Sequence, residues 1–173
     1  MVTVLLCGLG VSLAGCQSVQ ASPHTPRVTA AARHHPAVSA TAAAVTTPLT
    51  ALVLGQCVVE AEDSLQPKVG SATVIPCSQA HAGEVYALPA LPGAAYPGVE
   101  SVSSIASDAC TAAFASYTGA GVQTSHLDFA VDIPTSDQWA SGDHSALCVI
   151  FSPQGNMIGS ARGIGSSQPQ LAP

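Results

Sequence analysis

The side chains able to do chemistry are few and gather in two short runs. Pro76-Cys77-Ser78-Gln79-Ala80-His81-Ala82-Gly83-Glu84 places a histidine and a carboxylate three residues apart, and Asp143-His144 offers a second pair. Brought together, His81, Glu84, Asp143 and His144 would suit an envelope hydrolase or a metal-dependent enzyme. Residues three apart face one another only on a helix, and Gly83 followed by a β-prone run makes this segment a turn. In a turn, His81 and Glu84 bond backbone groups and fix its shape, so no catalytic residue is assigned. No serine stands in a Gly-x-Ser-x-Gly elbow. Ser125-His126 with Asp128 is adjacency in sequence, which is not triad geometry. The glycine-rich stretch from Gly159 to Gly165 lacks the Gly-Lys-Ser/Thr ending of a phosphate loop. Trp139, the lone tryptophan, is either a core residue or a half-exposed anchor. With His81, Glu84 and Asp143 it makes up the candidate binding surface.

Cysteine spacing points to structure rather than reaction. Cys57, Cys77, Cys110 and Cys148 are never close enough for a Cys-x-x-Cys redox site, and no paired Cys or His at short spacing suggests zinc. No metal or cofactor is therefore expected. An even number of cysteines in an exported chain reads as two disulfides, for which three pairings exist. The inferred elements favour Cys57–Cys77, closing a loop between neighbouring strands, and Cys110–Cys148, joining a helix to a strand.

Cys16 has a different chemistry. Val2 to Leu13 is almost wholly apolar and leads into Leu13-Ala14-Gly15-Cys16, the order of a lipobox. The run is shorter than the roughly 20 residues of a spanning helix, so residues 1–15 are expected to be a lipoprotein signal peptide. The Cys16 thiol would then carry a diacylglyceryl group with fatty acids such as palmitate. Two or more chains hold a protein on a membrane where one does so only marginally. Residues 16–48 are rich in Ala, Ser, Thr and Pro and read as the lipidated cysteine and a flexible tether, with a mean reach of roughly 30 Å. His24, His34 and His35 in it are incidental.

The elements that must position these groups occupy residues 49–164, with a disordered tail over 165–173. Gln56–Val59, Ala72–Ile75 and Glu84–Leu88 are short β-prone runs. Val102, Ile105, Ala109, Cys110, Ala113, Phe114 and Tyr117 recur at helical spacing between Gly98 and Gly119. Leu127 to Ile133 alternates as a strand with one wet face, and Thr135 or Ser136 caps a turn leading to Trp139. Ala146–Phe151 and Met157–Ala161 complete a hairpin. The expected fold is α+β: a small antiparallel sheet with one main helix packed on it and two disulfides.

The chain carries 4 Lys and Arg against 10 Asp and Glu, a net charge of −6. Beyond the tether its cations are Lys68 and Arg162. Nucleic acid is thereby excluded as a partner, since its binding rests on clustered basic groups.

Taken in order, Gly55-Gln56-Cys57, Val74-Ile75-Pro76-Cys77 with His81 and Glu84-Val85-Tyr86, Tyr96-Pro97-Gly98, Cys110, Trp139 with Gly142-Asp143, and Cys148 resemble the septum formation domain family of actinobacterial envelope proteins. The resemblance implies an exported, membrane-held protein linked to septum formation or cell division, with no established catalytic site to carry over. Many such proteins are held by a transmembrane helix, so the lipobox is a departure. Together these features lead to a non-enzymatic binding or scaffolding lipoprotein on the extracytoplasmic face of the cell membrane. It would touch the membrane through the lipid on Cys16 and an envelope or division protein through its folded part.

Overall fold

Leu147–Phe151 is the strand around which the rest is arranged, and its residue pattern says so. Leu147, Cys148, Val149 and Ile150 are all buried, although successive side chains on a strand point to opposite faces. Both faces of the sheet must therefore be covered at this point. The computed structural model describes residues 43–61 and 66–173. Within them run β1 (Val45–Pro48), β2 (Cys57–Val58), β3 (Gln66–Pro67), β4 (Ser71–Ile75) and β5 (Gly83–Ala87). The helix α1 (Val99–Thr118), β6 (Asp128–Ile133), the short helix α2 (Ser136–Ala140), β7 (Leu147–Phe151), β8 (Met157–Ile158) and β9 (Gln170–Leu171) follow.

The expectation of a small antiparallel sheet in an α+β fold does not hold. The molecule is mostly sheet: seven strands in the order β1-β4-β2-β5-β7-β6-β3 curl into a half-barrel, and β8 and β9 form a second sheet. The large sheet is mixed, because β3 pairs with β6 in parallel, Gln66 opposite Asp132 and Pro67 opposite Ile133. β1 lies in the stretch read as tether, and β3 between the expected runs Gln56–Val59 and Ala72–Ile75. Both are edge strands and both carry a proline, Pro48 and Pro67, at a position where a ladder bond is dispensable.

The expected final hairpin is also different. The turn after β7 forms, with the Gly155 N–H donating to the Ser152 carbonyl at 3.3 Å, but Met157 does not return to β7. Met157 exchanges backbone hydrogen bonds with His81, and β8 pairs with β9. The segment 165–173, expected to be a disordered tail, contributes β9.

Two cores result. On one face α1 packs Val102, Ala106, Cys110, Phe114 and Tyr117 against Tyr86, Val131, Cys148 and Ile150. Gly98 and Gly119 bound this helix as expected; Gly119 adopts the left-handed conformation (φ 86°) that a C-terminal cap requires. On the other, concave face Leu52, Val58, Ala72, Val85, Leu147 and Val149 pack among themselves. Gly83 permits that closure: a Cβ there would sit 2.5 Å from Val149 Cγ1 and 2.8 Å from Ala61 Cβ.

Both disulfides join the expected partners. Cys57–Cys77 and Cys110–Cys148 have Cα separations of 5.2 and 5.7 Å, and the second rivets α1 to β7. By loop-closure entropy each contributes about 3–4 kcal/mol. The lipobox, Cys16 and the tether as far as residue 42 lie outside the described residues. Among the described residues no helix is long and apolar enough to cross a membrane.

Candidate functional site

Three places hold the polar side chains of interest, and the sheet register keeps them apart. The first surrounds Glu84. Its strand β5 sits between β2 and β7, so Glu84 faces Cys57 across one ladder and Ile150 across the other. On the helix side its Oε1 accepts from Tyr117 Oη at 2.5 Å and from Ser160 Oγ at 2.6 Å. Oε2 accepts from the Ala161 N–H at 2.6 Å. Glu84 is 1% exposed, and burying a carboxylate is costly unless it is hydrogen-bonded in this way. Burial, then the hydrogen bond to Glu84, push the Tyr117 hydroxyl up to about 12. Arg162 lies over the Tyr117 ring, 4.4 Å from its centroid.

His81 is wholly buried beside this carboxylate. Its Nδ1 lies 2.8 Å from the Gln79 carbonyl oxygen. A carbonyl only accepts, so Nδ1 carries a proton, and in the neutral ring Nε2 keeps its lone pair. That Nε2 is buried and has no hydrogen-bond partner. A ring nitrogen of His81, Sγ of Cys57 and a carboxylate oxygen of Glu84 lie within 4.8 Å of one another. The sequence correctly gives His81 a backbone bond inside a turn. For Glu84 the reading misses the two side-chain donors, Tyr117 and Ser160, which come from 33 and 76 residues away in the chain.

The second place is Asp143. Lys68, 2% exposed, brings its ammonium 2.9 Å from both carboxylate oxygens of Asp143, and donates to the Ser145 carbonyl at 2.6 Å and its Oγ at 2.9 Å. Gln138 closes the capping box of α2 with Thr135 and donates from Nε2 to the Lys68 carbonyl at 2.7 Å. Burial pulls the Asp143 carboxyl upward, but the Lys68 and Ser145 hydrogen bonds outweigh it and hold it below the usual value. This is a structural knot between β3 and the turn before β7. Next to it His144 stacks on Trp139 with ring centroids 4.1 Å apart, its Nε2 3.0 Å from the Trp139 carbonyl oxygen.

His81, Glu84, Asp143 and His144 do not converge. Glu84 stands opposite Ile150, whereas Ala90 bridges Ser145. Glu84 and Ala90 are six residues apart on the chain, with Ala90 beyond the end of β5, so the two places lie at different ends of the pairing with β7. Nor do His81, Glu84, Trp139 and Asp143 make a binding surface. Three of them are at most 3% exposed, and Trp139 is a core residue edge-on to Tyr96.

The third place is a cavity of about 310 Å³ on the concave face, which no single residue announces. Leu52, Val58, Ala72, Leu147 and Val149 give it an apolar lining, while Glu60 and Asp132 add carboxylates. Glu60 accepts from the Thr73 N–H and hydroxyl at 3.0 and 3.2 Å. Its size falls at the lower end of ligand pockets. The unbroken buried run of β7 is the one sequence signal for a second covered face.

The model of the septum formation family matches residues 28–148. The chain belongs to the septum formation family. That membership links it to septum formation or cell division. The matched stretch contains all four disulfide cysteines, His81 and Glu84, whereas Ser160 and Ala161 lie beyond it. No curated protein and no solved structure matches the chain.

Proposed function

We propose that the chain is a non-catalytic binding or scaffolding protein of the cell envelope, serving septum formation from the extracytoplasmic face of the membrane. The observation that carries the reading is the apolar cavity on the concave sheet face. Leu52, Val58, Ala72, Leu147 and Val149 give the cavity an apolar floor on which an apolar side chain or small ligand gains by leaving water, and Glu60 and Asp132 add polar contacts beside it. Glu84, Lys68 and Asp143 meanwhile have their polar atoms engaged within the fold. The lipobox at Cys16 supports an anchor of two or more acyl chains, with the stretch after it as a tether.

A photo-crosslinking residue at Val69, 59% exposed and on the cavity wall, tests the binding face in living cells. Capture of a discrete partner from Val69, and not from the equally exposed Val99 at the start of α1, is expected. Equal capture from the two positions contradicts it. The anchor is tested separately: Cys16→Ser is expected to move the protein from the membrane to the soluble fraction, and continued membrane association would contradict lipidation.

A further inference from the structure

His81, whose buried Nε2 has no hydrogen-bond partner, belongs with Cys57 and Glu84 to the one cluster of metal-ligating atoms among the described residues, and that cluster is locked by a disulfide. We propose that reduction of Cys57–Cys77 opens a zinc site made of the two cysteine thiolates, His81 and Glu84. This inference is independent of the cavity reading above, since the cluster lies between β2, β5 and the β4–β5 turn.

The donor set fits zinc. Two thiolates, an imidazole and a carboxylate are all ordinary zinc ligands, and thiolates disfavour calcium and magnesium. In the disulfide form the Cys57 sulfur is a poor ligand, because the thiolate is the form that binds metal. The positions are close to what coordination needs. Ligand atoms around tetrahedral zinc stand roughly 3.3–3.8 Å apart, and Cys57 Sγ, the His81 nitrogen and the Glu84 oxygen already lie within 4.8 Å. Closing by about an ångström suffices for these three, and the Cys77 sulfur, once released from the disulfide, has to swing in as the fourth. Cys77 is covalently beside Cys57 and is half-buried, which gives a reductant or an ion its approach.

The supporting bonds are those of a ligating site. A histidine that binds metal through one nitrogen usually donates its other N–H to a carbonyl or carboxylate. His81 does so through Nδ1 to Gln79, leaving Nε2 as the ligand. Glu84 is oriented by Tyr117, Ser160 and the Ala161 N–H. The sequence hides the site because Cys57 precedes Cys77 by 20 residues, so no Cys-x-x-Cys pair appears.

The step balances with a dithiol reductant, such as a thiol–disulfide oxidoreductase. Its two thiols become a disulfide as Cys57 and Cys77 each gain a hydrogen. Zinc then displaces both thiol protons to solvent, leaving two Zn–S bonds.

The full chain is reduced anaerobically with dithiothreitol, freed of reductant, and titrated with zinc against a chromophoric chelator. Native mass spectrometry supplies the stoichiometry. One zinc per reduced chain and none per oxidised chain is expected. His81→Ala should weaken binding by about 100-fold, given that even outer-shell losses cost 10–100-fold, and Cys57→Ser with Cys77→Ser should abolish it. A second measurement needs no variant: zinc should slow alkylation of Cys77 in the reduced wild type, because a thiolate held by the metal is no longer the free nucleophile. Cys110 and Cys148 should be unaffected. Absence of zinc from the reduced chain overturns the proposal. So does undiminished binding after loss of Cys57 and Cys77, which would place the ion elsewhere, or equal alkylation of Cys77 with and without zinc.

Discussion

Glu84 and Lys68 pose the same problem, a buried ionisable side chain, and solve it with different partners. For Glu84 the partners are neutral donors, the largest being Tyr117. Tyr117→Phe removes one of them and leaves the carboxylate buried, which should cost about 1–3 kcal/mol in urea unfolding. The same pair contributes to the alkaline limit, together with Tyr86, whose hydroxyl burial raises further still. The Tyr117 hydroxyl is raised to about 12 in the fold and returns to about 10 on unfolding, so the native state favours its neutral form. Its stabilisation is fully present below about pH 10 and is lost as pH climbs towards 12. A Tyr117→Phe chain should therefore show a shallower loss of stability across that window. For Lys68 the partner is a charge. Asp143→Asn leaves a buried ammonium without its counter-ion, and breaking a buried pair in this way costs about 3–5 kcal/mol. Because the Asp143 carboxyl lies below its usual value, its contribution is present above the unfolded value near 3.9 and fades as pH falls through the folded one. Acid unfolding followed by circular dichroism should be flatter in Asp143→Asn than in the wild type. Sequence alone could single out His81, Glu84 and Asp143 as chemically loaded. It could not reveal their partners, because a carboxylate's neighbours at 33 and 76 residues' separation leave no local mark.

At the scale of elements, what was legible is what has a period. The helix over 99–118 shows its apolar recurrence and its bounding glycines, and β5, β6 and β7 show β-prone runs. The turn of helix before Trp139 is visible in its cap, Thr135 or Ser136, of which Thr135 is the one that caps it. Strands of two residues have no period to read, and β3 and β9 leave no local mark, although β2 and β8 fall inside the expected runs Gln56–Val59 and Met157–Ala161; β1 has the composition of the tether. The edge strands change the fold class. β3 makes the sheet mixed, and β1 and β3 at its two edges bring it to seven strands. The wet face expected for β6 is in part the cavity wall, since Ala130 is buried there and Asp132 lines it. Gly83 is the element-level test of the curl. Gly83→Ala puts a methyl against Val149 and Ala61, and overpacking of that kind costs about 1–3 kcal/mol. Thermal unfolding should show the loss, and Val149→Ala in the same chain should recover part of it.

At the scale of the molecule, a chain with few aromatic residues is held by two disulfides and two cores instead of one large one. The disulfides differ in setting. Cys110–Cys148 is wholly buried between α1 and β7, whereas Cys57–Cys77 has one half-buried sulfur and a histidine beside it. The helix covers one sheet face and leaves the other to close on itself imperfectly, and the cavity is the remainder. An acidic domain with a partly apolar hollow suits a protein partner better than any polyanion. On the proposed function, that hollow is where a partner binds. That placement is tested most directly by filling the hollow with Ala72→Phe and measuring crosslink capture from Val69, alongside the unfolding midpoint. Loss of the captured partner with the protein still folded is the expected result. Undiminished capture from a folded Ala72→Phe protein would contradict it.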